Sequence, residues 1–215
     1  MSSTKEGAAA ATPTGSKLRG RVAFVTGGSR GIGAAITRSL AAQGATVAIG
    51  YSSNKDKAEE VRASLNGAEE DCSLHQGNVG SAEDCRRTIG EVIDTHERLD
   101  ILVNNAGITS DKGILKMEED QWYKVLAVNL SGAFFMSQAA LGHMLDRGSG
   151  RIVNISSIIG QIGNIGQANY AASKSGLFGL TMTMAREAAA QLAKRDDYNP
   201  DDPENVGLTV NAVAP

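Results

Sequence analysis

The stretch Val25–Ile36, VTGGSRGIGAAI, places Gly27, Gly31 and Gly33 between a short β-rich run, VAFVT, and a helical pattern that Gly44 stops. The spacing is Gly-x-x-x-Gly-x-Gly rather than Gly-x-Gly-x-x-Gly, but the physical logic is shared. Glycines allow a tight turn and close approach of backbone to a pyrophosphate, which then rests on the positive end of a helix. A glycine-rich turn by itself can be only a connector. Its position after a first strand and before a helix points to a nucleotide.

The same alternation continues outward. TVAIGY, SLHQ, DILVN, RIVNIS and LTVNAVAP read as strands. Between them lie the helical patterns DKAEEVRASL and AEDCRRTIGEVIDTHE, a long one over residues 118–145, and one over residues 168–192. Nearly continuous apolar strands separated by helices predict a doubly wound, Rossmann-type α/β fold, its parallel sheet flanked by helices on both faces. Residues 18–215 form one predicted domain, and residues 1–17, without large aliphatic side chains, a flexible tail. The polar stretch KRDDYNPDDPENVG reads as a surface loop.

Composition narrows the class. The chain has 215 residues, 41% of them apolar, and a formal net charge of −3. That balance gives no clustered positive charge for nucleic acid or a membrane surface. Apolar stretches read as interrupted before reaching membrane-spanning length, so the expectation is a cytoplasmic enzyme. Cys72 and Cys85 lack metal-ligand spacing and read as buried thiols of a reducing compartment. His75, His96 and His143 are scattered and read as surface or helix-end residues. Trp122, Phe134 and Phe135 read as packing residues.

The end of the second strand bears on which nucleotide binds. NAD sites place an acid there for the ribose 2′-hydroxyl. Here the chain reads Gly50, Tyr51, Ser52, Ser53, Asn54, Lys55, with no acid before Asp56. Arg30, inside the glycine loop, could meet a 2′-phosphate with a forked guanidinium, or could be a solvated loop cation. The expected cofactor is NADPH/NADP+.

Tyr170 and Lys174 are four residues apart and share one helix face. An ammonium beside a phenol favours the phenolate, which suits proton transfer in carbonyl–alcohol chemistry. Ser157 lies at the end of the fifth strand, where ligands bind in such sheets. Its neighbour Ser156 points to the opposite side. Alone, a Tyr-x-x-x-Lys pair is a common feature of helix surfaces, Ser157 could cap a turn, and Asn129, a poor helix former, could sit at a kink.

Together, TGGSRGIG, NNAG at residues 104–107, VNLSGAFF around Asn129, NISSIIG around Ser157 and NYAASKSG around Tyr170 resemble the short-chain dehydrogenases/reductases. The likeness runs from about Leu18 to Pro215. The segments NNAGITSDKGILKM, GQIGNIGQANYAASKSGL and the Gly77–Val79 triplet are similar to the branch of 3-oxoacyl-acyl-carrier-protein reductases and acetoacetyl-CoA reductases.

That resemblance implies catalytic roles for Asn129, Ser157, Tyr170 and Lys174, with Asn129 holding a proton-relaying water and Lys174 also binding the nicotinamide ribose. It implies cofactor contacts from Gly27, Ser29, Arg30, Gly31, Ile32, Gly33, Ser52, Asn78, Val79, Asn104, Ala106, Gly107, Tyr170, Lys174 and Pro215. Ser157, Gln161, Gln167 and Tyr170 would face the substrate. The implied activity is NADPH-dependent reduction of a 3-oxoacyl thioester, on acyl carrier protein or CoA, to its (3R)-3-hydroxy form by a homotetramer. The branch continues past this Pro with a substrate-covering loop and a further strand. The expectation is therefore that a C-terminal strand is missing and the nicotinamide and acyl end incomplete. An alcohol or sugar dehydrogenase, or a non-catalytic nucleotide-binding subunit, are the competing readings.

Overall fold

The computed structural model describes residues 17–65, 72–199 and 207–215. The predicted tail, apart from Lys17, and residues 200–206 of the polar loop lie outside those residues.

Six parallel strands form one sheet in the order β3-β2-β1-β4-β5-β6. They are β1 (Val22–Val25), β2 (Thr46–Tyr51), β3 (Ser73–Gln76), β4 (Ile101–Asn104), β5 (Gly150–Ile155) and β6 (Leu208–Val213). The order reverses between β1 and β4, which opens a crevice beyond the strands' carboxyl ends.

Strand alternation separates two cores. Ala23 and Val25 of β1 face α1 (Gly31–Ala42) and α2 (Lys55–Ala63), packing with Ala34, Ala41, Ala58 and Val61. Val22 and Phe24 face the other way, toward Ile89 of α3 (Ala82–His96), Met136 of α5 (Gly132–Asp146) and Met184 of α7 (Ala168–Leu192). A strand buried on both faces needs apolar residues at every position, which explains the unbroken VAFV run.

The long helix predicted over residues 118–145 is three pieces: α4 (Glu119–Leu126), a π-helical turn (Ala127–Ser131) and α5. By length and composition alone these 28 residues could cross a membrane. In the fold, Met136, Ala140 and Met144 are buried against the sheet and α3, so that face of the helix serves the core. Phe134 departs from its predicted packing role and is 40% exposed. His75 is also corrected: it is buried on β3, because β3 lies beneath α3. Its ring bonds Ser73 Oγ at 2.8 Å and Glu91 at 3.3 Å. His96 and His143 do lie near the ends of α3 and α5.

Candidate active site

Thr26, at the end of β1, joins the glycine loop to the β4 terminus. Its hydroxyl accepts the Asn105 and Ala106 amides at 3.0 Å each, and the Asn105 side chain donates to Thr26 O and Gly27 O at 2.9 and 3.2 Å. Gly27 and Gly31 adopt φ of +62° and +52°, a region that side chains disfavour. At Gly33, a Cβ would collide with the Gly27 carbonyl and the Asn105 amide. The loop is a cradle that one added methyl would fill.

Beyond it opens a cavity of about 530 Å³. Gly27, Ser29, Arg30, Gly31, Ile32 and Gly33 line one wall, Ser52 and Ser53 the end of β2, and Asn78, Val79, Ala106 and Gly107 the opposite side. Ser52, Ser53 and Asn54, which follow β2, carry no charge, Arg30 and Lys57 supply two cations, and the carboxylate in the lining, Asp84, accepts the Asn78 amide at 2.8 Å and pairs with Arg87 at 2.9 Å. Sequence reasoning did not single out Thr26, Asn105 or Lys57. His75 and Cys85 also line the cavity. Burial pushes the Cys85 thiol up to about 11 and Cys72 to about 12, so neither is a thiolate near neutral pH. A glycine cradle at a helix N-terminus, with flanking cations, fits a phosphate-rich dinucleotide.

Asn104 does not reach this cavity. As the last residue of β4 it points the opposite way from Asn105, and its amide donates to Ser137 Oγ and Asn154 Oδ1, both at 2.8 Å. Asn154 passes the chain on to Thr181 at 2.9 Å, so a buried polar line ties α5, β4, β5 and α7 together. Asn104 is a structural residue, and Asn105 takes the groove side.

Gly107 links the cavity to a second region. A Cβ there would lie 3.4 Å from Asn129 Oδ1 and 3.6 Å from Lys174 Nζ. Lys174 is 4% exposed, with its ammonium 5.7 Å from the centroid of the Tyr170 ring and donating to Ile155 O at 2.6 Å. Burial lowers its pKa from 10.5 to about 8.

Asn129 sits in the π-helical turn, a feature frequent at functional sites. Its Oδ1 accepts the Ile108 amide at 2.8 Å, and its Nδ2 donates to Ile108 O at 2.9 Å and Ser173 Oγ at 3.1 Å. Ser173 in turn donates to Tyr170 O at 2.7 Å. Both side-chain donors of Asn129 are thus spent in protein bonds, which makes it a clamp between the β4 loop and α7.

Ser156 donates to Lys174 O at 2.7 Å, so of the two serines it is the one built into the scaffold. Ser157 Oγ accepts the Ile159 amide at 3.3 Å. Among the described residues no acceptor takes the hydroxyl protons of Ser157 or Tyr170. The short helix α6 (Ile159–Ile162) packs backbone to backbone on α7: a Cβ at Gly160 would lie 2.7 Å from the Lys174 carbonyl carbon. Gln161 is exposed on α6. Gln167 donates to Asp111 at 3.1 Å and accepts from Asn164 at 3.0 Å. Pro215 accepts the Ile158 amide at 3.1 Å, beside Ser157.

This architecture is shared with known proteins. The family model for short chain dehydrogenases matches residues 21–192. A 3-oxoacyl-[acyl-carrier-protein] reductase of Staphylococcus aureus is 44% identical over 193 residues, 90% of this chain and 72% of that protein. An acetoacetyl-CoA reductase of Shinella zoogloeoides is 45% identical over 195 residues, 91% of this chain and 73% of that protein. The crystal structure of a putative short-chain alcohol dehydrogenase from Sinorhizobium meliloti 1021 has a TM-score of 0.81 at 36% identity, covering 92% of this chain and 72% of that one. With its glycine cradle opening at Gly107 onto Tyr170 and Lys174, the chain belongs to the short-chain dehydrogenase/reductase family, oxidoreductases that act on CH–OH groups with a nicotinamide cofactor.

Proposed function

We propose that the protein reduces a 3-oxoacyl thioester to the (3R)-3-hydroxyacyl thioester with NADPH. The observation that carries the reading is the Tyr170–Lys174 pair, its lysine buried, next to Gly107 of a groove that Arg30 and Lys57 line. The thioester is supported by likeness to two reductases of that substrate class.

When bound, the cofactor supplies hydride to the ketone carbon. Ser157 donates a hydrogen bond to the ketone oxygen. Tyr170 gives that oxygen its phenolic proton as negative charge develops there. The Lys174 ammonium stabilises the phenolate left behind, and Lys174 and Tyr170 contact the nicotinamide side of the groove. Asn129 holds Ile108 and α7 in register, so Gly107 keeps the groove open to the pair.

The Lys174 shift has opposite consequences for rate and stability. Below pH about 8 the buried ammonium is present and folding bears its desolvation; as pH rises from about 8 to 10.5 that cost is relieved. Reduction should therefore fall through pH about 8 while the cofactor-free protein gains stability from this group, as parallel rate and melting profiles will show.

Exposed Tyr123, Phe134 and Met182 on α4, α5 and α7 support assembly through these helices, as expected for a cytoplasmic homotetramer. NADPH oxidation with acetoacetyl-CoA, 3-oxoacyl carrier protein and keto-sugars tests the substrate. Turnover of a thioester supports the reading; turnover of keto-sugars alone makes the protein a sugar dehydrogenase instead.

A further inference from the structure

Helix α7 begins without a side-chain cap at the residue before it. The first amides of a helix need acceptors from outside its own ladder, and a flanking side chain usually supplies one. Gln167 stands at that position but makes no cap, and its side chain is bonded to Asp111 and Asn164 instead. Asn169, the second residue of α7, fills the role from inside the helix. Its Oδ1 accepts the Tyr170 amide at 2.7 Å.

The same side chain reaches two other elements. Asn169 is 0% exposed and does not line the groove, so it acts only through its neighbours. Its Nδ2 donates to Ser110 O at 3.0 Å, in the loop after β4, and to Gln121 O at 3.1 Å, in α4. With both donors and an acceptor engaged, the amide plane has one orientation. The Tyr170 carbonyl is held separately. It accepts from the Ser173 hydroxyl at 2.7 Å, and that hydroxyl accepts from Asn129 Nδ2, whose amide binds both backbone groups of Ile108. Side chains thus tie the backbone N–H and C=O of Tyr170 to one segment, residues 108–110, which continues from Gly107. The tie through Asn129 passes over two side chains; the tie through Asn169 is direct.

We propose that Asn169 is the positioning residue for Tyr170, fixing the first turn of α7 against the segment that leaves Gly107. The inference rests on the reading above that Tyr170 donates the proton. Among the described residues no bond holds the Tyr170 hydroxyl, so the backbone of this turn sets where the phenol lies. Proton transfer needs heavy atoms about 2.6–3.2 Å apart, and a shift of about 1 Å in that turn takes the donor out of range.

A double-mutant cycle read by kcat tests this, with NADPH and either acetoacetyl-CoA or a keto-sugar as substrate. Asn169→Ala should lower kcat by about ten- to a hundredfold, the scale of a small misplacement, with KM and NADP+ affinity within about twofold of wild type. In a Tyr170→Phe background the same change should cost less than about twofold, because no phenolic proton is left to place. Enzyme in excess over substrate makes those slow rates measurable. If Asn169→Ala does not fold, Asn169→Asp carries the same cycle: it keeps an acceptor for the Tyr170 amide and sets a carboxylate against the two carbonyls. A wild type inactive on both substrates, or a Tyr170→Phe with wild-type turnover, overturns the proton-donor reading and Asn169's role with it. Lost turnover in Tyr170→Phe beside full turnover in the Asn169 variant overturns the Asn169 assignment alone. An equal loss in both backgrounds also overturns it, since Asn169 would then support the fold and not Tyr170.

Discussion

The groove and the region beyond Gly107 are built from different materials. The proposed phosphate end, around Thr26–Gly33 and the close of β2, is shaped by backbone: positive-φ glycines, a position without room for a Cβ, and carbonyls held by Asn105. The proposed reacting region, around Asn129, Ser157, Tyr170 and Lys174, is shaped by side chains from separate elements, joined by bonds that span 19 to 44 residues of sequence. A backbone cradle tolerates many neighbours and fails when a single methyl is added. A side-chain cluster needs several distant residues to arrive together, and it fails by degrees as each support is removed.

That contrast can be broken most severely at Gly33. Gly33→Ala pushes a methyl into the Gly27 carbonyl and the Asn105 amide, so the cradle must open. Overpacking of this kind costs on the order of 2 kcal/mol, a roughly thirtyfold loss of cofactor affinity. Calorimetry should show that loss, while kcat at saturating cofactor stays near the wild-type value. A fall in kcat with affinity unchanged would mean that the two ends are not separable.

Asn129→Ala tests the other end. It leaves the Ile108 N–H and C=O and the Ser173 hydroxyl without the amide, at about 1–3 kcal/mol of stability. Thermal melting should report the destabilisation, with kcat reduced more than cofactor affinity. Unchanged melting would show that the clamp does not hold α7.

The smallest effect lies outside both regions and calibrates them. Glu97 ends α3 at φ 59°, the left-handed conformation that glycine adopts without steric cost. Glu97→Gly should raise stability by about 1 kcal/mol with cofactor affinity and kcat untouched. A change in either would show that this helix end communicates with the groove.

The same contrast explains what the sequence revealed. The sheet was legible because parallel strands buried on both faces are apolar throughout, and the phosphate cradle because glycine spacing is a local signal. Tyr170 and Lys174 lie one helical turn apart, so their shared face was also local. The supports were not. Asn104 and Asn105 differ by one strand position, which sends one side chain into the core and the other to the groove, and residue type alone does not tell them apart. The π-helical turn at Asn129 lies where Gly132 approaches Val79 and Gly176 approaches Leu130, contacts that exist only in the tertiary structure. Lys57, which the sequence did not single out, lines the same groove as Arg30 because β2 delivers α2 there. His75, expected at the surface, is buried because α3 covers β3.

Measuring turnover and cofactor binding together in Tyr170→Phe tests the division of labour most directly. Losing the proposed phenolic proton donor should lower the rate of the proposed thioester reduction by about 10²–10⁴-fold. NADP+ affinity should stay within a few fold of wild type, because the glycine cradle and its cations are untouched. Turnover near the wild-type rate, or loss of cofactor binding in parallel with turnover, would contradict the account.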